Sequence, residues 1–201
     1  MKEIINEILK DCKDKCKLIA VSKTKSVSDI KKVYDMGIRD FGENKVQELL
    51  SKIDNLPNDI RWHMIGHLQS NKVRSIIDRV YLIHSVDSLK LANIINNEAI
   101  KKNIKVNILC EINIANEKSK YGFSVNEFEE CFEEINNLSN INLLGIMCVA
   151  PYQINSEDNR EYFRKMNELK NKYNLLITSM GMSNDYKLLL KKVVIILELV
   201  L

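Results

Sequence analysis

Uninterrupted alternation is the feature that most restricts what this chain can fold into. Short apolar stretches of strand character occur at residues 17–22, 38–42, 61–66, 80–84, 105–113, 142–149 and 175–179. Each is followed by a stretch with helical spacing, at 27–36, 44–53, 70–77, 88–102, 125–138, 158–172 and 185–192. Ser26 or Ser28 is placed to cap the first of these helices. A short helix over about residues 2–14 precedes the series, and a last apolar run, 193–197, is available as an eighth strand. Strand-then-helix repetition predicts a parallel sheet with helices outside it, and eight units predict a closed (β/α)8 barrel. At 201 residues the chain lies near the lower end of the roughly 200-to-400-residue range of such barrels. With two prolines and six glycines there is no linker to divide it, so one domain over 1–201 is expected.

Composition narrows the partners. A net charge of +3, from 30 basic and 27 acidic residues, gives no electrostatic case for nucleic acid or an anionic membrane. The opening residues, MKEIINEILKDCKDKCK, are charged throughout and do not read as a signal peptide. Five cysteines are scattered along the chain, as expected of free thiols in a reducing cytoplasm. Cys12 and Cys16 lie one helical turn apart but lack a histidine or a second pair, so no metal is expected there.

In a barrel the chemistry belongs to the loops after the strands. Lys23 follows the first strand, where it is either the first solvated residue beyond a core strand or an amine held at the barrel mouth. The loop after the seventh strand, Ser179-Met180-Gly181-Met182-Ser183-Asn184-Asp185, joins a strand to a helix. Gly181 would let the backbone approach a ligand, and Ser183 could cap the helix, whose free N–H groups suit a phosphate. Taken alone, that loop reads first as an ordinary glycine turn with a serine cap. Beside Lys23 it gains a second meaning, because strands one and seven of a closed barrel are separated only by strand eight. An amine near a phosphate cradle suits a cofactor with an aldehyde at one end and a phosphate at the other, pyridoxal 5′-phosphate (PLP). A free lysine titrates near about 10.4, and desolvation would lower that toward the neutral amine a Schiff base needs. His63 and His67 have the spacing of a metal pair, but no third ligand is evident and a packed or hydrogen-bonded histidine is expected.

Five blocks carry a resemblance. They are Ala20-Val21-Ser22-Lys23-Thr24-Lys25, then Phe41-Gly42-Glu43-Asn44-Lys45-Val46-Gln47-Glu48, then Trp62-His63-Met64-Ile65-Gly66-His67-Leu68-Gln69-Ser70-Asn71-Lys72, then Gly145-Ile146-Met147, then Ser179 to Asp185. In identity and order they resemble the signature blocks of the pyridoxal phosphate homeostasis protein family. The resemblance implies a single TIM barrel of the alanine-racemase N-terminal type that binds PLP and has no established catalytic turnover. It implies that Lys23 carries the cofactor as a Schiff base, that Asn44 lies beside the ring, and that Gly181, Met182 and Ser183 hold the phosphate. Lys120 matches a family lysine in the fifth loop. The implied partners are PLP and PLP-dependent apo-enzymes, with the chain acting as a monomer.

The tail departs from that pattern. The family ends in a strand reading roughly Ile-Arg-Ile-Gly-Thr, whereas this chain ends Lys191-Lys192-Val193-Val194-Ile195-Ile196-Leu197-Glu198-Leu199-Val200-Leu201. One choice of codons for this tail, read in another frame, gives Glu-Gly-Ser-Asn-Asn-Ile-Arg-Ile-Gly-Thr, so a frame shift in the gene is the expectation. The altered strand could still close the barrel while supplying neither the arginine nor the Gly-Thr, which predicts weaker cofactor binding. Two enzymatic alternatives stay open. An amino-acid racemase of this barrel class would need a second, β-rich domain, for which no chain is left. A Schiff-base aldolase using Lys23 would need a positioned acid or base near it.

Overall fold

Eight parallel strands pair in sequence order and close into a barrel. The structure is a computed structural model that describes residues 10, 16–151, 156–181 and 195–200, the last segment by its backbone. The expected N-terminal helix, apart from Lys10, and the expected helix over 185–192 lie outside the described residues. The strands are β1 (Cys16–Val21), β2 (Asp40–Glu43), β3 (Arg61–Met64), β4 (Leu82–Val86), β5 (Val106–Glu111), β6 (Ile141–Met147), β7 (Ile177–Ser179) and β8 (Ile195–Val200). Between them stand α1 (Val27–Tyr34), α2 (Val46–Ile53), α3 (Val73–Ile76), α4 (Leu89–Lys102), α5 (Val125–Asn136) and α6 (Arg160–Lys172).

Local signals set these boundaries. Ser26 is the cap of α1, accepting from the Asp29 N–H at 3.1 Å, and Ser88 does the same for α4 from the Leu91 N–H. Asn103 ends α4 in the left-handed conformation, its N–H reaching back to the carbonyls of Ala99 and Ile100. Ser124 and Glu127 form a capping box at the start of α5. The expected helix over 70–77 is shorter and begins as a 3₁₀ turn over Ser70–Lys72. Strand four runs past its expected end to Val86, so His84 and Ser85 sit inside it rather than in the loop beyond.

Period-two alternation divides the side chains between two cores. Ala20, Phe41, Trp62, Ile83, Ile108 and Ile146 face outward into a large cluster with Ile30, Leu49, Ile76, Ile95, Phe128 and Met166 of the helices. The neighbours Ile19, Leu82 and Leu109 face inward and meet Met147 in a small cluster inside the barrel. Fully burying each such side chain stabilises by roughly 1.5–3 kcal/mol, so the outer layer supplies most of the stability. By the same parity Asp40, His63, His84 and Ser179 fall on the inner side. The interior is therefore part apolar and part polar.

The tail still closes the ring. Its strand β8 lies parallel to β1 from the pair Cys16–Ile195 to the pair Val21–Val200, and meets β7 at Thr178–Ile195 and Ser179–Ile196. Parallel pairing uses backbone groups, so an apolar segment without the arginine and Gly-Thr of the family ending can supply it.

Candidate functional site

Lys23 stands two residues past the end of β1 and is half-buried. The ladder continues one residue past the strand, through the Ser22 N–H to the Gly42 carbonyl at 2.9 Å. Ser22 thus turns its hydroxyl to the helix side, donating to Glu43 Oε1 at 2.6 Å. The Ser22 carbonyl accepts from Lys52 Nζ at 2.8 Å and from the Lys25 N–H at 3.0 Å. Beyond Lys23, Thr24 adopts a left-handed φ of 64°, and its N–H donates to Glu48 Oε1. Both flanks of Lys23 are therefore tied to α2 or to the strand beside it. The lysine is presented by a turn with little freedom.

The tie is ionic and buried. Lys52 Nζ lies 2.7 Å from both Glu43 Oε1 and Glu48 Oε1. Glu43 is fully buried, and its Oε2 has no hydrogen-bond partner among the described residues. Burial raises the Glu43 carboxyl above its ordinary value, and the opposing pull of Lys52 and Ser22 does not cancel it. Glu48 moves the other way: burial is the largest single effect and raises it, but Lys52 and the Thr24 N–H together bring it below its usual value.

Asn44 comes next at the mouth. Its Oδ1 is buried and has no hydrogen-bond partner among the described residues. Gly66, after β3, presses on it: a β-carbon on Gly66 would stand 2.4 Å from the Asn44 carbonyl oxygen. A cleft of about 450 Å³ opens there, lined by Asn44, Lys45, Gly66, His67, Gln69 and Lys72 among others. His67 Nδ1 lies 3.0 Å from Asp87 Oδ2, and its ring stacks on Tyr121 with centroids 3.8 Å apart. Lys120 is half-buried, paired with Glu117 at 2.7 Å and donating to the carbonyls of Val149 and Ala150. At the far side of β8, Gly181 is buried with a φ of 95°, a conformation suited to glycine. Met182 and Ser183 lie outside the described residues.

Among the described residues His63 and His67 belong to no cluster of three metal-ligating side chains, and each is hydrogen-bonded elsewhere. His63 Nδ1 lies 2.9 Å from His84 Nε2, and His63 Nε2 lies 3.0 Å from Asp40 Oδ1. His84 Nδ1 in turn lies 3.0 Å from Ser179 Oγ. Asp40 also meets Lys17 at 2.9 Å and Arg61 through both carboxylate oxygens. Burial raises the Asp40 carboxyl, but Arg61, His63 and Lys17 together hold it well below the usual carboxylate range. Burial, more than the neighbouring His84, holds the His63 imidazole down to about 4.

The alanine racemase N-terminal domain family matches residues 1–194, ending one residue before β8. A pyridoxal phosphate homeostasis protein of Aquifex aeolicus is 38% identical over 205 aligned positions, covering 96% of this chain and 90% of that one. The counterpart of Synechocystis is 35% identical and covers 91% and 88%. The chain belongs to the pyridoxal phosphate homeostasis protein family. Among solved structures, PipY of Synechococcus elongatus with PLP bound superposes with a TM-score of 0.89 at 27% identity, covering 99% of this chain and 97% of PipY. An alanine racemase of Clostridium difficile shares the fold, with a TM-score of 0.80 at 16% identity, over 56% of its own length.

Within this family member, the structure brings Lys23, Asn44 and Gly181 to the same end of the barrel, at the ends of β1, β2 and β7. Sequence reasoning missed the Glu43–Lys52–Glu48 cluster that anchors Lys23. The signal was present in Glu48 and Lys52, four apart on α2, beside a glutamate that ends a strand. It also left His84, at the expected end of strand four, without a partner.

Proposed function

We propose that this chain holds pyridoxal 5′-phosphate at the mouth of its barrel, on Lys23 as a Schiff base, and keeps or delivers the cofactor rather than turning over a substrate. One observation carries the reading: a lysine fixed on both flanks stands at the end of β1, in a barrel that superposes on PipY with PLP bound. The residues fit the cofactor. Asn44 Oδ1 is a buried acceptor in want of a donor, Gly66 leaves room for the Asn44 backbone, and Gly181 gives the turn after β7 its left-handed bend. Met182 and Ser183 are assigned to the phosphate with Gly181 on the family resemblance. When bound, the cofactor supplies an aldehyde that condenses with the Lys23 amine, releasing one water.

The chain's own residues do the rest. Lys52 and Glu48 hold the turn on which Lys23 stands. Asn44 and Gly181 border the space above the barrel, and Lys120 is anchored to the loop after β6. The relatives' names speak of homeostasis, which favours a reservoir or carrier acting on PLP-dependent apo-enzymes. We place this work in a reducing cytoplasm, the compartment that five scattered cysteines suit.

Mixing the protein with PLP should give the absorption band of the cofactor–lysine conjugate. Borohydride reduction and peptide mapping should then find the adduct on Lys23. An adduct on any other residue would overturn the assignment, and racemisation of added amino acids would overturn the carrier reading. The tail bears on the same measurement. A version ending in Ile-Arg-Ile-Gly-Thr should bind PLP more tightly than this chain, and equal affinity would remove the tail from the account.

A further inference from the structure

Four buried polar side chains cross the barrel from its base to its mouth. Asp40, His63, His84 and Ser179 are joined by contacts of 3.0, 2.9 and 3.0 Å, and none is more than 5% exposed. The links take their directions from Asp40. Asp40, ringed by Arg61 and Lys17, is a carboxylate and can only accept. His63 Nε2 therefore carries the hydrogen of the first link. A neutral imidazole protonated at Nε2 has a bare Nδ1, so His84 Nε2–H donates to it. In a neutral His84 ring Nδ1 is then bare in turn and accepts from the Ser179 hydroxyl. Toward any other neighbour, Ser179 can only accept.

We propose that Ser179, His84, His63 and Asp40 form a one-way proton path by which an N–H or O–H donor at the barrel mouth loses a proton to the barrel base. The step balances. The mouth donor gives its proton to Ser179 Oγ as the Ser179 hydrogen passes to His84 Nδ1. The His84 Nε2 hydrogen passes to His63 Nδ1, and the His63 Nε2 hydrogen to Asp40 Oδ1. Each imidazole gains one proton at Nδ1 and gives one from Nε2, and ends neutral with its hydrogen on Nδ1, so the path carries one proton before the rings must return to the Nε2–H form. Asp40, the strongest acid of the set, releases its proton to solvent beside Lys17 and Arg61, whose side chains are 37% and 42% exposed. Ser179 ends β7, two residues before Gly181. The inference rests on the reading that the mouth takes PLP, since the Lys23 ammonium must shed a proton before its amine can attack an aldehyde.

The test has two arms. In the ligand-free full chain, nitrogen NMR of the histidines at neutral pH should show both rings protonated at Nε2 with bare Nδ1; an Nδ1–H on either ring overturns the path. In the second arm, the rate at which Lys23 captures added PLP is followed against pH. Ser179→Ala should slow capture about tenfold near neutrality, with solvent water carrying the remainder, and move the rise of the pH–rate profile to higher pH. Ser179→Thr, which keeps the hydroxyl, should restore both. A Ser179→Ala protein with lowered affinity but an unmoved pH profile would make the four residues a structural network only. Failure of PLP to add at Lys23 would instead sink the functional reading, and the NMR arm would still decide the path.

Discussion

Two buried carboxylates of one short strand, Asp40 and Glu43, respond to burial in opposite ways. They are three residues apart in β2, an odd spacing, so pleating sends Asp40 into the barrel and Glu43 toward α2. Asp40 meets Arg61 in a two-pronged pair and has Lys17 and His63 besides, so both of its oxygens are satisfied. Its acidity is strengthened despite burial. Glu43 has Lys52 and Ser22 on one oxygen and nothing described on the other, and burial wins. Having a cationic partner does not decide a buried acid's state; the number of lone pairs that are met does.

The largest effect expected from breaking this comparison is on the Glu43 side. Lys52→Met would leave Glu43 buried without its cation, a change of about 3–5 kcal/mol. Urea unfolding should show that loss, and PLP affinity should fall with it because the Lys23 turn is released. A loss under about 1 kcal/mol would mean that Glu43 simply takes up a proton and stays.

Next comes acid. His63 titrates near 4 when folded against about 6.5 unfolded. The unfolded chain therefore binds more protons in that window, and the stability this group contributes is complete above about 6.5 and lost as pH falls to about 4. That loss amounts to about 3 kcal/mol. Asp40, with its lowered value, adds a further loss only below about 3.9. Glu43, with its raised value, works in the opposite sense and gains stability as pH falls through its folded value. Unfolding curves taken from pH 7 to 4 should thus slope downward, more steeply in Glu43→Gln and less in His63→Asn.

A smaller change is expected from Gly66→Ala. The added methyl must displace the Asn44 backbone and should cost about 1–3 kcal/mol in stability, with weaker PLP binding at the same time. The smallest is Arg61→Met, about 1 kcal/mol, because Lys17 and His63 still serve Asp40 and the arginine is partly exposed. If Arg61→Met proved as damaging as Lys52→Met, redundancy of partners would not explain the contrast.

Much of the fold could be read from the chain. Seven strands and the six described helices between them stand close to where alternation put them, and strand eight, expected over 193–197, runs over Ile195–Val200. Lys23 and Asn44 were legible because a short apolar strand announces its own end. The anchoring cluster was not, since Glu43 and Lys52 look like any charged residues until the pleat and the helix face are known. The partners of His84 escaped for a related reason: histidine followed by serine reads as the edge of a strand, whereas β4 runs on to Val86 and both side chains are buried. Pattern reveals where a strand begins more reliably than what the inside of a barrel will accept.

The pairing of β8 has a consequence for how the molecule is made. β1 is matched along its whole length by β8 but touches β2 only at Ala20–Phe41 and Val21–Gly42. The first strand of the barrel to leave the ribosome therefore waits for the last. Until β8 emerges, β1 carries an unpaired edge past every intervening helix and strand, the situation in which nascent chains meet chaperones or pair wrongly. Closure is the most non-local event in the fold, and the slowest part of folding should be the meeting of the two ends of the chain.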